Sequence, residues 1–212
     1  MIQNTITRNQ AQKFYDALGK RYEWFEIHEG RAKAIAQDML DLHPGFMMLN
    51  VGVGTGKQHE QFQYAVQPGG IVYGIDITWK MLLITRERVL ASLCQADALN
   101  LPFRDDFFDR LYTSYVLDLL PALDLPEVLQ EFYRVIRPGG RIVIAALTEG
   151  VSIFSRALVS AWKFAYAISP VTCGGCRPLQ LASIVSQAGF NELHRQVVEQ
   201  MAVPSEIISA QK

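Results

Sequence analysis

The apolar residues of the chain fall into short continuous runs separated by segments with helical spacing. The runs at 46–49 and 71–75 consist of apolar residues and glycine, which is typical of strands buried on both faces of a sheet. The intervening segments begin or end at glycine and proline, as helices do. This alternation predicts an α/β protein with a mostly parallel sheet, helices on both faces and right-handed crossovers.

The individual elements follow from the same pattern. It predicts helices over 5–19, 22–42, 57–62, 79–90, 126–135, 151–168 and 179–188. Strands are expected at 46–49, 71–76, 91–96, 107–116, 141–147, 191–198 and 201–209. Thr78 is a candidate N-cap, and the Arg-Pro-Gly-Gly segment 137–140 is expected to be a turn. The first two helices precede the sheet, so they extend the core, either as a cap over a ligand or against the sheet edge.

Composition limits the class of protein. The 212 residues are 50% hydrophobic and 19% charged with a net charge of −1, which suits one α/β domain with a full core. The sequence has no basic run or Lys/Arg stripe, so no nucleic-acid partner is expected. Three cysteines do not make a disulfide framework, which indicates a reducing, cytoplasmic compartment. Segment 1–5 lacks a signal-peptide pattern, and no window of about 18 apolar residues predicts a spanning helix.

A glycine-rich loop follows the first predicted strand. Gly52, Gly54 and Gly56 form a G-x-G-x-G pattern between that strand and a helix, which is how open α/β sheets build a nucleotide site. A dinucleotide site has G-x-G-x-x-G instead. A P-loop needs glycine where Val51 stands and a hydroxyl residue where Gln58 stands. Because neither phosphate-binding pattern fits well, the loop alone leaves the ligand open.

Acidic residues end the next two predicted strands. Asp76 follows the loop by about 20 residues, where a carboxylate can accept hydrogen bonds from both ribose hydroxyls, and Ile77 beside it offers an apolar wall to adenine. The carboxylate of Asp97 could accept from an adenine amino group. Because the carboxyl ends of parallel strands meet at one edge, we expect Gly52, Asp76, Asp97 and Ser114 to converge there.

Several motifs occur in a fixed order along the chain. They are the loop within 50–56, the acid Asp76, D-A with L-P-F over 97–103, F-D through Ser114 over 108–114, I-R-P-G-G over 136–140, and A-G-F over 188–190. From about Tyr15 onward the chain resembles the class I S-adenosylmethionine-dependent methyltransferases of the methyltransferase type 11 kind. It is similar to the ubiquinone/menaquinone C-methyltransferases and to bacterial phospholipid N-methyltransferases.

The resemblance implies a Rossmann-like sheet of seven strands whose last strand is antiparallel. It also implies S-adenosyl-L-methionine as the cofactor, with S-adenosyl-L-homocysteine as its product and the methionine end held by the glycine loop. The residues it assigns to the cofactor are Asn50, Gly52, Gly54, Gly56, Asp76, Ile77, Met81, Asp97, Ala98, Ser114 and Tyr115. It implies a single methyltransferase domain over 1–212, made of an N-terminal helical cap (1–43), a cofactor-binding core (44–148) and a substrate-shaping helix with the last strands (149–212).

One position departs from the family pattern. Asn50 stands where the family usually has Glu or Asp, whose carboxylate commonly reaches the amino group of the cofactor through water or backbone. An amide can still accept a hydrogen bond but lacks the charge. We therefore expect somewhat weaker cofactor affinity or the same contact made differently, and Asn50 is the only sequence hint of a protein that binds the cofactor without catalysis.

Methyl transfer needs little chemistry from protein side chains, because the sulfonium already activates the methyl group. The protein must align the acceptor, and a weakly nucleophilic acceptor such as a phenol or an activated ring carbon also needs a base. The candidate bases are Asp118, Tyr15, Tyr22 and His28. We select Asp118, which follows the fourth strand, and Tyr22 as the catalytic candidates.

The spacing Cys173-Gly174-Gly175-Cys176 suggests metal binding or redox cycling. A structural zinc would need two more ligands, and Cys94 with the scattered histidines gives no second pair. We therefore expect no metal and favour a loop over the acceptor pocket.

The predicted helix over 151–168 is heavily apolar and includes Phe154, Trp162 and Phe164. Ordinary packing is one interpretation. The alternatives are an apolar acceptor channel and a membrane-surface face with Arg156 and Lys163 toward the headgroups.

Together these features predict a cytoplasmic methyltransferase that acts on a small or lipid-like apolar acceptor, such as a quinone precursor or a phospholipid amine, with peripheral membrane contact left open. One alternative is a nicotinamide-dependent oxidoreductase, which the glycine spacing opposes. The other is a catalytically silent S-adenosylmethionine-binding protein. The acceptor, the methylated atom and the oligomeric state do not follow from the sequence.

Overall fold

The computed structural model describes residues 5–212, apart from the side chain of Phe25. Residues 1–4, on which the signal-peptide prediction largely rests, lie outside the described residues. Among residues 5–212, none of the helices combines the length and the apolar character that crossing a bilayer requires.

A seven-stranded sheet forms the centre of the molecule. Its strands are β1 (Met47–Val51), β2 (Ile71–Asp76), β3 (Ser92–Gln95), β4 (Phe108–Ser114), β5 (Ile136–Leu147), β6 (Asn191–Gln200) and β7 (Val203–Gln211). They lie in the order β3-β2-β1-β4-β5-β7-β6, with β1 to β5 parallel and β7 antiparallel to both of its neighbours. The predicted mostly parallel sheet with an antiparallel last strand is confirmed. The strand order reverses between β1 and β4, which is where open α/β sheets bind ligands.

Helices cover both faces of the sheet. They are α1 (Arg8–Leu18), α2 (Gly30–Leu40), α3 (Lys57–Ala65), α4 (Trp79–Arg88), α5 (Leu125–Val135), α6 (Ile153–Ile168) and α7 (Ala182–Gln187), with 3-10 helices at Gly19–His28 and Leu117–Leu119. Apolar residues of α5 and α7 pack on one face and those of α2 and α3 on the other. The start of α1 is fixed by a capping box between Thr7 and Gln10.

The structure corrects the predicted helix over 22–42. Its first part is the 3-10 helix Gly19–His28, and α2 begins only at Gly30. In a 3-10 helix residues three apart lie above one another. Glu26 and Glu29 are three apart, and a carboxylate oxygen of each lies 2.8 Å from Nζ of Lys33. Glu26 lies in the 3-10 helix and Glu29 directly follows it, so the tighter turn brings both carboxylates to Lys33.

Two further predictions need correction. The segment 137–140 is not a turn before a strand, because β5 starts at Ile136 and runs through it, with a register shift against β4 between Phe108 and Arg110. Gly139, with φ of +75°, accommodates this irregularity. Thr78 does occupy the N-cap position of α4, but its side chain makes no capping hydrogen bond.

Candidate active site

A cleft opens at the carboxyl ends of β1, β2 and β4, and α1, α2 and the first 3-10 helix cover it. The space within it, including open solvent at its mouth, is about 1040 Å³. Nine of the eleven residues predicted to hold the cofactor line it, namely Gly52, Gly54, Asp76, Ile77, Met81, Asp97, Ala98, Ser114 and Tyr115. We call the part around the glycine loop and Asp76 the loop end, and the part around Tyr15, Tyr22, Glu26, Lys33 and Tyr115 the cap end.

The glycine loop is held against the neighbouring strand. Gly52 donates from its N–H to the Ile75 carbonyl at 2.8 Å and has φ of +75°. A Cβ on Gly52 would lie 2.3 Å from Cγ2 of Val116, so only glycine allows this approach. By contrast, a Cβ on Gly54 would come no closer than 3.9 Å to another atom, at Tyr22, which leaves open space over the loop.

Asp76 is the central carboxylate of the loop end. Its Oδ2 accepts from the Gly54 N–H at 3.1 Å and its Oδ1 from the Thr78 N–H at 2.9 Å. Each carboxylate oxygen can accept a further hydrogen bond. Burial raises the pKa of Asp76 to about 6, with the two backbone donors opposing that rise. The arrangement can accept two hydroxyl donors from a ligand in the cleft, as the two hydroxyls of a ribose require.

Asn50 and Gly56 do not line the cleft. The Asn50 side chain is buried, and its Nδ2 lies 3.4 Å from Nδ1 of His59 on α3. Burial lowers the pKa of His59 to about 4, so the pair is neutral at pH 7. A Cβ on Gly56 would lie 2.8 Å from Cγ2 of Thr85. Glycine is therefore needed here because the loop packs closely on α4, not because a ligand binds. Motif spacing alone cannot separate such packing positions from ligand-facing ones.

The cap end is built from side chains rather than backbone. Tyr15 of α1, Tyr22 and Glu26 of the 3-10 helix and Lys33 of α2 all line the cleft. The rings of Tyr15 and Tyr22 meet edge to face with centroids 5.8 Å apart. Burial raises the pKa of both phenols well above its usual value, so both hydroxyls stay protonated and can donate.

Six alternating charges run from the cap end to the surface. Their order is Glu29, Lys33, Glu26, Lys57, Glu23 and Arg88, with nitrogen–oxygen distances of 2.7–3.1 Å between successive members. Lys33 and Glu29 are not among the site residues that the sequence predicts. The available signal was their i,i+4 spacing in a predicted helix, but that spacing is common on solvated helix faces.

The structure does not bring Asp118 or His28 to the cleft lining. Asp118 is fully buried in the 3-10 helix Leu117–Leu119, and its Oδ2 accepts from the Leu147 N–H at 3.4 Å. Burial raises the pKa of Asp118 to about 7. The short helix turns the carboxylate toward β5, so direct contact of Asp118 with an acceptor is not supported.

The Cys173–Cys176 segment is a tight turn over the cap end. The Cys176 N–H donates to the Cys173 carbonyl at 3.1 Å, and the Tyr15 hydroxyl lies 3.9 Å from Sγ of Cys176. A Cβ on Gly175 would lie 2.4 Å from Cδ1 of Ile6, so the turn packs directly on residues that line the cleft. Within residues 5–212, no three His, Cys, Asp or Glu side chains come together in a way that could hold a metal ion.

The family model and the relative that match this sequence are both methyltransferases. Residues 49–144 match the family model described as "Methyltransferase domain". The demethylmenaquinone methyltransferase of Staphylococcus aureus (strain JH9) is 29% identical over 179 residues, which cover 79% of this chain and 73% of that protein.

Solved structures share the fold. An S-adenosylmethionine-dependent methyltransferase of Thermotoga maritima superposes with a TM-score of 0.70 at 20% identity, covering 95% of this chain and 99% of that one. The phosphoethanolamine N-methyltransferase 2 of Haemonchus contortus, in complex with phosphomonomethylethanolamine and S-adenosylhomocysteine, gives a TM-score of 0.71 at 18% identity, covering 95% and 60%. The predicted resemblance is confirmed: residues 49–144 carry a methyltransferase domain, and the protein is a methyltransferase.

Proposed function

We propose that the loop end binds S-adenosyl-L-methionine and that a small or lipid-like apolar acceptor enters the cap end, with a quinone precursor as the leading class. The observation that carries the proposal is the lining of one continuous cleft by a carboxylate with two open acceptor positions and, farther along, by apolar and aromatic side chains. The demethylmenaquinone methyltransferase relative favours the quinone class over the phospholipid amine.

The residues of the loop end fit this cofactor. Asp76 accepts from the ribose hydroxyls, Ile77 and Met81 pack on the adenine, and the open face of Gly54 admits the methionine end without a side chain in its way. Asp97 and Ala98 lie at the adenine edge, and Ser114 and Tyr115 close the methionine side. When bound, the cofactor supplies an activated methyl group, and the chain aligns the acceptor behind it.

Ile6, Leu119 and Leu120 give the cleft apolar walls, and Tyr22 offers a hydroxyl there. These walls suit a flat, apolar ring better than a strongly hydrated headgroup. Tyr22 is the catalytic candidate that we retain. Asn50, the only sequence hint of a silent protein, pairs with His59 outside the lining and gives no support to loss of catalysis.

We also propose that α6 contacts a membrane surface from which such an acceptor is taken. Ile153, Phe154, Phe164 and Ile168 are each more than 70% exposed on α6, and no acidic residue lies on this helix. Arg156 is its basic partner for headgroups, since Lys163 is bound to Glu149. Co-sedimentation with anionic phosphatidylglycerol vesicles, lost in Phe154→Ser/Phe164→Ser, tests this contact. Equal sedimentation of both proteins would contradict it.

The experiment that tests the proposed function has two steps. The first is the rise in melting temperature with S-adenosylmethionine and S-adenosylhomocysteine, for wild type and Asp76→Ala. A ligand at 100 times its Kd stabilises by about 2.7 kcal/mol. The second is methyl transfer to a reduced, unmethylated naphthoquinone presented in vesicles, with a phospholipid amine in parallel. A melting shift with NAD but not with S-adenosylhomocysteine, or turnover of the amine alone, would contradict the proposal.

A further inference from the structure

The ammonium group of Lys33 is buried at the cap end with part of its donor capacity directed at the cleft. Its side chain is only 6% exposed, and Nζ lies 2.8 Å from a carboxylate oxygen of Glu26 and 2.8 Å from one of Glu29. An ammonium has three N–H donors. Two carboxylates engage two of them, and Nζ also lies 5.8 Å from the ring centroids of both Tyr22 and Tyr115, which line the cleft with it. The remaining donor is available to a ligand there.

A proton acceptor lies beside this cation. The Tyr22 hydroxyl donates to the Glu29 carboxylate, with oxygen–oxygen distances of 3.4 and 3.5 Å. Burial raises the pKa of Glu29, while its ion pair with Lys33 opposes the rise. Lys33 faces Glu26, Glu29, Tyr22, Tyr112 and Tyr115. Burial alone would lower its pKa, but the carboxylates of Glu29 and Glu26 outweigh burial and raise the pKa, so Lys33 keeps its charge. The cap end thus combines a fixed positive charge with a hydroxyl that is already linked to a carboxylate.

We propose that Lys33 is the binding site for an ionised oxygen of the acceptor, and that the acceptor is a phenol-class ring hydroxyl whose proton passes through Tyr22 to Glu29. This inference rests on the proposed function and narrows its acceptor class. A protonated amine would meet the Lys33 charge at the same position and would have to compete with it for the carboxylates of Glu26 and Glu29.

The proposed step balances in protons and electrons. The acceptor O–H bond breaks, its proton goes to the Tyr22 oxygen, and the Tyr22 proton goes to Glu29. The phenolate charge then lies against Lys33. An electron pair of the phenolate oxygen, or of a ring carbon that shares its charge, forms the new bond to the methyl group, while the S–CH3 electron pair stays on sulfur. After attack from carbon, that carbon loses its own proton to water and the oxygen recovers the stored one, so one proton is released in either case.

Spectroscopic titration of 4-nitrocatechol tests this assignment, because its phenolate is coloured and the readout does not require turnover. The wild-type protein is saturated with S-adenosylhomocysteine and the bound probe is titrated with base. We expect the acid dissociation constant of the bound probe to be roughly tenfold or more above that of the free probe, as a charge-assisted hydrogen bond implies. The effect should vanish in Lys33→Met. Lys57→Met is the matched control, since Lys57 also pairs with Glu26 but does not line the cleft.

Removing Lys33 alone leaves the largely buried Glu29 without its cation and Glu26 with Lys57 as its remaining partner, so stability needs its own control. The double variant Lys33→Met/Glu29→Gln removes one charge of each sign, and the melting shift with S-adenosylhomocysteine reports whether the loop end is intact. The proposal is overturned if the wild type binds S-adenosylhomocysteine but not the probe, or if the bound probe ionises as it does in water. It is also overturned if the probe bound to the double variant keeps the raised acid dissociation constant seen with the wild type. Absence of S-adenosylhomocysteine binding by the wild type would instead overturn the proposed function, and this inference with it.

Discussion

The two ends of the cleft are built on different principles. At the loop end, the backbone of β1 and the following glycines approaches a single carboxylate, Asp76, that is held by two N–H donors. At the cap end, tyrosines and paired charges come from helices that precede the sheet in sequence. The first arrangement suits a ligand whose shape is constant. The second arrangement can be altered by single substitutions without disturbing the sheet, as is needed when the acceptor differs from one enzyme to another.

The largest expected effect separates the two ends directly. We expect Asp76→Ala to weaken S-adenosylhomocysteine binding about 100-fold, because two charge-assisted hydrogen bonds to the ribose are lost. Asp76→Asn keeps an oxygen acceptor and should lose roughly tenfold. Titration calorimetry at pH 8 measures both, well above the pKa of about 6. Tyr22→Phe is the cap-end comparison and should leave this affinity unchanged. Equal losses for Tyr22→Phe and Asp76→Ala would mean that the two ends are not separate.

A pair of glycines tests how rigidly the loop end is packed. Gly52 and Gly139 both have φ of +75°, but a Cβ on Gly139 meets nothing within 4 Å, whereas one on Gly52 lies 2.3 Å from Val116. Gly139→Ala should lower the free energy of unfolding by only about 1 kcal/mol, which is the cost of placing alanine in a left-handed backbone conformation. Gly52→Ala should lower it by about 3 kcal/mol, since the clash of the new methyl group with Val116 adds to the same backbone cost. Urea denaturation measures both, and Val116→Ala added to Gly52→Ala should recover the packing part. Equal costs would show that the loop shifts freely.

The difference between the ends also explains what the sequence could predict. The sheet order, the loop and Asp76 follow from local signals, since strand periodicity and glycine spacing act over a few residues. Lys33 and Glu29 share a local i,i+4 spacing, but the burial of Lys33 beside Tyr115 comes from tertiary packing, which that spacing does not encode. Asp118 was selected for its place after β4, but the direction of its side chain depends on a three-residue helix. Asn50 and Gly56 match the motif and yet serve packing.

The prediction for Asp118 concerns the pH dependence of folding stability rather than ligand affinity. Burial raises its pKa from 3.8 to about 7, so the folded protein holds this proton more tightly than the unfolded chain. The raised pKa therefore adds its full contribution to the free energy of unfolding below pH 4, and that contribution is lost as the pH rises through 7. Relative to wild type, Asp118→Asn should therefore gain about 2 kcal/mol in free energy of unfolding between pH 5 and pH 8. Urea denaturation at both values measures the gain. A constant difference between variant and wild type would contradict the raised pKa.

The smallest effect is expected at Asn50, the motif position where the sequence suggested weaker cofactor affinity. Asn50→Asp restores the acid of the family motif, but its side chain faces His59 at 3.4 Å instead of the cleft. The new carboxylate should take up its charge as an ion pair with His59 and raise the imidazole pKa from about 4. Titration of the His59 ring by NMR measures that rise, with His59→Gln as the control. Because the pair stays outside the lining, we expect S-adenosylhomocysteine affinity to change less than about threefold, under 1 kcal/mol. A tenfold gain would mean that an acid at this position reaches the ligand, and the loop end would then depend on a side chain that the present geometry leaves out.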